Sequence, residues 1–182
     1  KIQWLTDGKE SFLINKITMG QKIIPIQNES IQLTSRELLM KRYAPNNCLI
    51  YASKIKSVSD AMALDSHSIG KLQREESKNF TEGLLLGWLI YLNEILNLKN
   101  PMSETQMILA SQLICEEFYM LKMSELTLLF KRIISGQFGE FYERLSIDKV
   151  MTFFREYREE RFEIAIDQSS RDHINNKQNE KI

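Results

Sequence analysis

Between Phe80 and Leu98 the chain carries apolar residues in a pattern that suits a helix with most of its circumference covered. Phe80, Leu84, Trp88, Tyr91, Leu92 and Ile95 recur three and four residues apart, which places them on one face. Leu85, Leu89 and Leu96 widen that face, so the spacing predicts a central helix touched from several sides. Gly83 and Gly87, four residues apart, would let another helix approach closely. Glu82, Asn93 and Glu94 flank the run and Gly87 breaks its longest stretch, Leu84–Leu92, well short of the roughly 18 residues that cross a membrane.

Such a helix needs partners, and the sequence supplies them. With 182 residues, 43% of them apolar, the chain can bury a real core, in one domain or one domain with an arm, and wholesale disorder is excluded. Thr34-Ser35-Arg36-Glu37 has the spacing of a capping box and opens a helix that stops near Tyr43, before Pro45. Residues 47–64 form a weaker pattern, with Leu49, Ile50, Ile55, Val58 and Met62 as candidate buried positions. Ser66–Ser77 reads as a short polar helix weakened by Gly70. Ser103 and Gln106 form a second box, with Met102 placed to staple onto Met107, and Met107, Ala110, Ile114 and Phe118 form a stripe. A helix opened by Ser124 carries Leu126, Leu129, Phe130, Ile133 and Ile134 and ends at Gly136. The short connection predicts that these two helices pair as an αα-hairpin.

Ser146 caps a last long helix lined by Val150, Phe154, Tyr157, Arg161 and Ile164. Its charged side offers pairs of opposite sign four residues apart. The fold class that follows is all-α: a compact helical bundle around a central hydrophobic helix, spanning 34–167. Residues 1–33 form an N-terminal arm, extended or a short β-hairpin through Thr6-Asp7-Gly8-Lys9, or an irregular segment on the core. Residues 168–182 form a polar, frayed tail.

Catalytic and metal-binding patterns are missing. His67 and His173 are the only histidines, and neither lies near Cys48 or Cys115 in the chain. No P-loop, dinucleotide fingerprint or H-E-x-x-H occurs, and the adjacent pairs Glu116-Glu117 and Glu159-Glu160 point to different helix faces. The expectation is a protein with no enzymatic activity, no cofactor and no metal. Two free cysteines and no visible export signal fit a cytoplasmic setting, and Lys1 in place of Met is what a fragment or processed product would show.

Two stretches are candidate binding sites. Phe138, Phe141 and Tyr142, with Arg144 on the rim, either form an exposed docking edge for a protein or fold back onto the core. The Gly136-Gln137-Phe138-Gly139 turn within this stretch matches a bare RNA-clamping G-x-x-G, but Glu140 and Glu143 would repel phosphate. Arg36, Lys41, Arg42, Lys54 and Lys56, opposed in that interval only by Glu37, either form a nucleic-acid face or sit singly on solvated helices. Tyr43 and Tyr51 are interleaved there to stack on bases. The Ser103–Ser135 pair is a poor helix-turn-helix, because its second helix places its only cations, Lys131 and Arg132, at the C-terminal end. Net charge is zero, yet residues 1–80 carry 12 Lys/Arg against 8 Asp/Glu and residues 81–182 carry 12 against 16, a +4/−4 division that suits orientation of a partner or attraction between the two parts.

The stretches Phe80-Thr-Glu-Gly-Leu-Leu-Leu-Gly-Trp88, Pro101-Met-Ser-Glu-Thr-Gln106, Ile114-Cys-Glu-Glu-Phe-Tyr119, Ser135-Gly-Gln-Phe-Gly-Glu-Phe-Tyr-Glu-Arg-Leu-Ser146 and Phe154-Arg-Glu-Tyr-Arg-Glu-Glu-Arg161 resemble a family of short helical proteins of unassigned activity. That family occurs in Bacteroidota genomes, their phages and integrating elements, and the resemblance spans about residues 66–165. It implies a phage or mobile-element accessory protein in a bacterial cytoplasm, contacting another protein, such as a replication factor on DNA, in the manner of a helicase loader or replisome organiser. The alternatives are direct nucleic-acid binding through the 36–56 face, and a self-assembling structural protein of the virion.

Overall fold

In a computed structural model, which describes residues 34–139 and 144–179 and side chains as far as Arg171, five helices begin at a hydroxyl. The side chains of Thr34, Ser57, Ser68, Ser77 and Ser103 each accept the backbone N–H three residues on. At Thr34, Ser57 and Ser103 the third residue returns a bond to the cap. The elements are α1 (Ser35–Tyr43), α2 (Pro45–Tyr51), a 3-10 turn (Ala52–Lys54), α3 (Val58–Ala63) and α4 (Ile69–Glu75). They continue with α5 (Lys78–Leu96), α6 (Glu104–Glu117), α7 (Met123–Ile134) and α8 (Ile147–Asn179). Among the described residues there is no strand, only isolated bridges joining Ser68 to Lys122 and Asn100 to Arg144. The fold is all-α. The chain divides into two units between Gln32 and Leu33. The expectation of an N-terminal arm over 1–33 lies outside the described residues, as do Phe141 and Tyr142.

Helix α5 is central. It buries Leu84, Leu85, Trp88, Leu89 and Leu92 and packs against α2, α4, α6 and α7. Trp88 meets Phe130 edge-on at 4.8 Å, Phe130 meets Phe154 at 6.3 Å, and Phe154 lies 5.1 Å from Phe118, the C-cap of α6, which links α5, α7 and α8 to the end of α6 through one aromatic chain. Three positions differ from the sequence pattern: Ile95 is exposed, and Phe80 and Tyr91 are half-buried. The glycine expectation is corrected too. Among the described residues nothing lies within 4 Å of where a Cβ would sit on Gly83 or Gly87, because the neighbours engage the leucine faces. The close approach occurs at Gly70 instead, whose amide donates to the Tyr119 carbonyl at 2.7 Å and whose absent Cβ would meet that oxygen at 3.1 Å.

The expected hairpin of α6 with α7 is also corrected. Helix α6 lies along α5 and α8, whereas α7 packs against α2, α3, α5 and α8. The 118–122 corner is tied to the start of α4: Ile69 donates to Leu121, Gly70 to Tyr119, and Met123 to the His67 carbonyl. Those bonds turn the chain away from α6. Ser124 opens no helix; it sits buried inside the first turn, its hydroxyl on the Ala61 carbonyl at 2.7 Å. Helix α7 ends as expected, with Gly136 at φ 77° and the amides of Gly136 and Gln137 returning to Ile133 and Arg132.

Helix α8 buries Val150, Met151, Phe153, Phe154 and Tyr157. Its charged side was expected to pair along the helix, but it mainly reaches across to others. Arg155 and Arg158 bind Glu117, Glu160 takes the Arg132 guanidinium, and Arg161 binds Glu125. The tail expected from residue 168 continues this helix to Asn179.

Candidate docking groove

Lys122, the N-cap of α7, and Ser124 and Lys131 within the helix hold the backbone of the preceding segment in place. Lys131 Nζ donates to the Ala52 and Ile55 carbonyls at 3.0 and 3.3 Å, and Lys122 Nζ to those of Met62 and Leu64 at 2.6 and 3.1 Å. Ser124 bridges Ala61 and Ser66. Most of these bonds reach carbonyls at or just past the ends of the short helices, where intrahelical partners run out, while the Ala52 carbonyl also accepts the Ile55 amide. The segment from Ala52 to Ser66 is therefore fastened over α7, and the gap between it and α1–α2 is an open groove.

The main cavity of this groove measures about 740 Å³. Tyr43, Cys48, Ile55, Met123 and Thr127 lie among its walls, with Leu38, Ile50, Tyr51 and Leu64 at its rim. These four rim residues are 53%, 69%, 60% and 45% exposed, a cluster of large apolar groups in one place. A second cavity, lined by Tyr51, Lys54, Ile55, Asp60, Ala63 and Leu64, shares Tyr51, Ile55 and Leu64 with the first and prolongs it.

Cations stand along this edge. Lys41, Lys54 and Lys56 are exposed, and among the described residues no carboxylate lies within ion-pair distance of them. Arg42 donates to the Asp65 backbone carbonyl at 3.4 Å and stands 5.3 Å over the Tyr43 ring, with no carboxylate within ion-pair distance among the described residues. Lys54 stands 5.4 Å over the Tyr51 ring. Two acids also line the groove, Asp65 and Asp60. Asp60 accepts the amides of Lys56 and Ser57 at 3.1 and 3.0 Å, and these bonds hold its carboxyl below the usual range.

The structure separates the seven residues of the expected basic face. Tyr43 is a correction: it is buried and unavailable to a base. Its hydroxyl accepts the His67 amide at 3.1 Å and shares a hydrogen bond with His67 Nδ1 at 2.6 Å, while Nε2 lies 3.3 Å from Glu75. The Tyr43 carbonyl accepts the Trp88 indole N–H at 2.9 Å. Arg36 is also withdrawn from the face, engaged by the Glu76 carboxylate and backbone carbonyl. Lys41, Arg42, Tyr51 and Lys54 are brought together around the groove, and Lys56 is exposed just beyond it.

Of the expected aromatic edge, Phe138 folds back and lies 5.0 Å from the Phe153 ring. It is half-buried, which is the folded-back alternative rather than a fully exposed edge. Arg144 is exposed, and Phe141 and Tyr142 lie outside the described residues. Sequence reasoning missed Leu38, Ile50 and Leu64 as surface features. The available signal was three large apolar residues set within or beside the basic interval.

Among the described residues no group of three or more His, Cys, Asp or Glu is placed to hold a metal. Burial pushes the Cys48 thiol up, and the Cys115 thiol, in the core, is pushed up to about 12 by burial and the nearby Glu82 charge. Both thiols are poor nucleophiles there. No helix among the described residues is long and apolar enough to cross a membrane. Compared with known proteins, the chain matches no family model, no curated protein and no solved structure, so its functional reading rests on this geometry.

Proposed function

We propose that this is a non-catalytic protein-binding module that docks a segment of a partner protein in the groove between α1–α2 and the 52–66 segment. The observation that carries the reading is the meeting of Leu38, Ile50, Tyr51 and Leu64, all exposed, around one concave apolar surface. An apolar concavity rimmed by polar groups is the form in which helical domains receive peptides. The resemblance noted in the sequence gives the setting: an accessory protein of a phage or mobile element acting on another protein in a bacterial cytoplasm, for example a replication factor.

The test compares three forms of the full chain expressed in the host. Leu38→Glu with Ile50→Glu removes the apolar rim at positions already open to water, and Phe141→Ala with Tyr142→Ala removes the aromatic edge. Each protein that copurifies is then reconstituted from purified components. The groove variant is expected to lose its partner and the loop variant to keep it; full binding by the groove variant would overturn the reading.

Direct nucleic-acid binding is the second reading, favoured by Lys41, Arg42, Lys54 and Lys56, which have no ion-pair partner among the described residues, beside an exposed Tyr51. It requires measurable affinity for single-stranded DNA near 50 mM salt, falling steeply as salt rises. No affinity there sinks it.

A further inference from the structure

From the charges and the shape of the groove, and resting on the protein-docking reading above, we infer that its occupant is an acidic amphipathic helix. Three observations converge on this class. The floor and rim are apolar over two joined cavities that share Tyr51, Ile55 and Leu64, so the occupant presents an elongated apolar stripe rather than a single side chain. Lys41 and Arg42 stand at the first cavity and Lys54 at the second, none with a carboxylate within ion-pair distance among the described residues. Carboxylates beside the stripe answer them. Asp60 and Asp65 also line the groove, two acids against the four cations Lys41, Arg42, Lys54 and Lys56, so the edge stays net positive and the occupant's carboxylates avoid those two positions.

The third observation concerns the occupant's own backbone. An extended peptide bound to a protein commonly satisfies its N–H and C=O groups on a free sheet edge, and the described residues contain no strand to offer one. The Ala52, Ile55, Met62 and Leu64 carbonyls beside the groove are already taken by Lys131 and Lys122. A helix carries its backbone bonds within itself and needs only side-chain contacts.

The experiment is a selection on the full chain from a displayed library of amphipathic helical peptides. Leu or Ile is fixed at i, i+3, i+4 and i+7, and the flanking positions are randomised. The expected binders are enriched in Asp and Glu beside the stripe. They weaken roughly tenfold or more against Lys41→Glu with Lys54→Glu, and against Leu38→Glu with Ile50→Glu. All four positions are exposed, and thermal melts of both variants matching the unaltered chain show that folding is not what is lost. Neutral or basic binders that still depend on Leu38 and Ile50 would overturn the acidic helix and leave protein docking standing. If no groove-dependent peptide emerges, both fall. A dimer of the unaltered chain that Leu38→Glu with Ile50→Glu dissolves would put a second copy in the groove and overturn the inference. An oligonucleotide that displaces the selected peptides and loses affinity on Lys41→Glu with Lys54→Glu would do the same.

Discussion

Glu125 has no exposed side-chain surface, yet it is a carboxylate. It is tolerated because Arg161 Nε donates to it at 2.7 Å and the Lys122 amide at 2.9 Å, so its charge is both balanced and hydrogen-bonded. Glu125→Ala strands the half-buried guanidinium and is expected to cost about 3 kcal/mol in urea unfolding, several times the effect of an exposed ion pair. Glu117 gives a test through pH. The Arg155 hydrogen bonds, with the charges of Arg155 and Arg158, hold its carboxyl below the ordinary 4.5. A carboxyl lowered on folding stabilises the native state above its unfolded value and loses that contribution as pH falls through the folded one. Glu117→Gln is therefore expected to unfold more easily than the unaltered chain at pH 7, with the two converging as pH drops below about 4.5. A gap that stays constant down to pH 3 would contradict this.

At the level of helices, the glycines separate two kinds of role. Gly83→Ala and Gly87→Ala are each expected to stabilise by about 0.5–1 kcal/mol, since alanine is the better helix former and the new methyl meets open space. Gly70→Ala is expected to destabilise, because its methyl would press on the Tyr119 carbonyl. Thermal melts of the three decide it. The Thr34 and Ser103 boxes, the end of α7 at Gly136 and the buried face of α5 were legible in the sequence because each depends on residues a turn or two apart. The pairing of α6 was not legible. It depends on bonds from the corner at Tyr119 and Leu121 to residues about fifty positions earlier, which no local pattern records. For the same reason the basic interval marked the right stretch for the groove but misplaced Tyr43, whose burial depends on Trp88 and His67. Leu38 and Ile50 have the same residue types as the core, and only the tertiary arrangement leaves them in water.

Across the whole molecule, α8 has two halves with different roles. Its first half supplies the buried Val150 to Tyr157, whereas Ile166 to Arg171 are all exposed. A chain ending at Arg171 is expected to melt with the full chain, and amide exchange is expected to be slow through Tyr157 and fast beyond Asp167. Fast exchange at Phe154 would contradict this. The ties of α8 all run backward along the sequence: Glu117, Glu125 and Arg132 receive it, and Phe154 closes over Phe118 and Phe130. Synthesis delivers these partners first and their cover last. A chain halted on the ribosome before Phe154 emerges must carry Phe118 and Phe130 without their roof, an apolar surface open to aggregation until α8 is made.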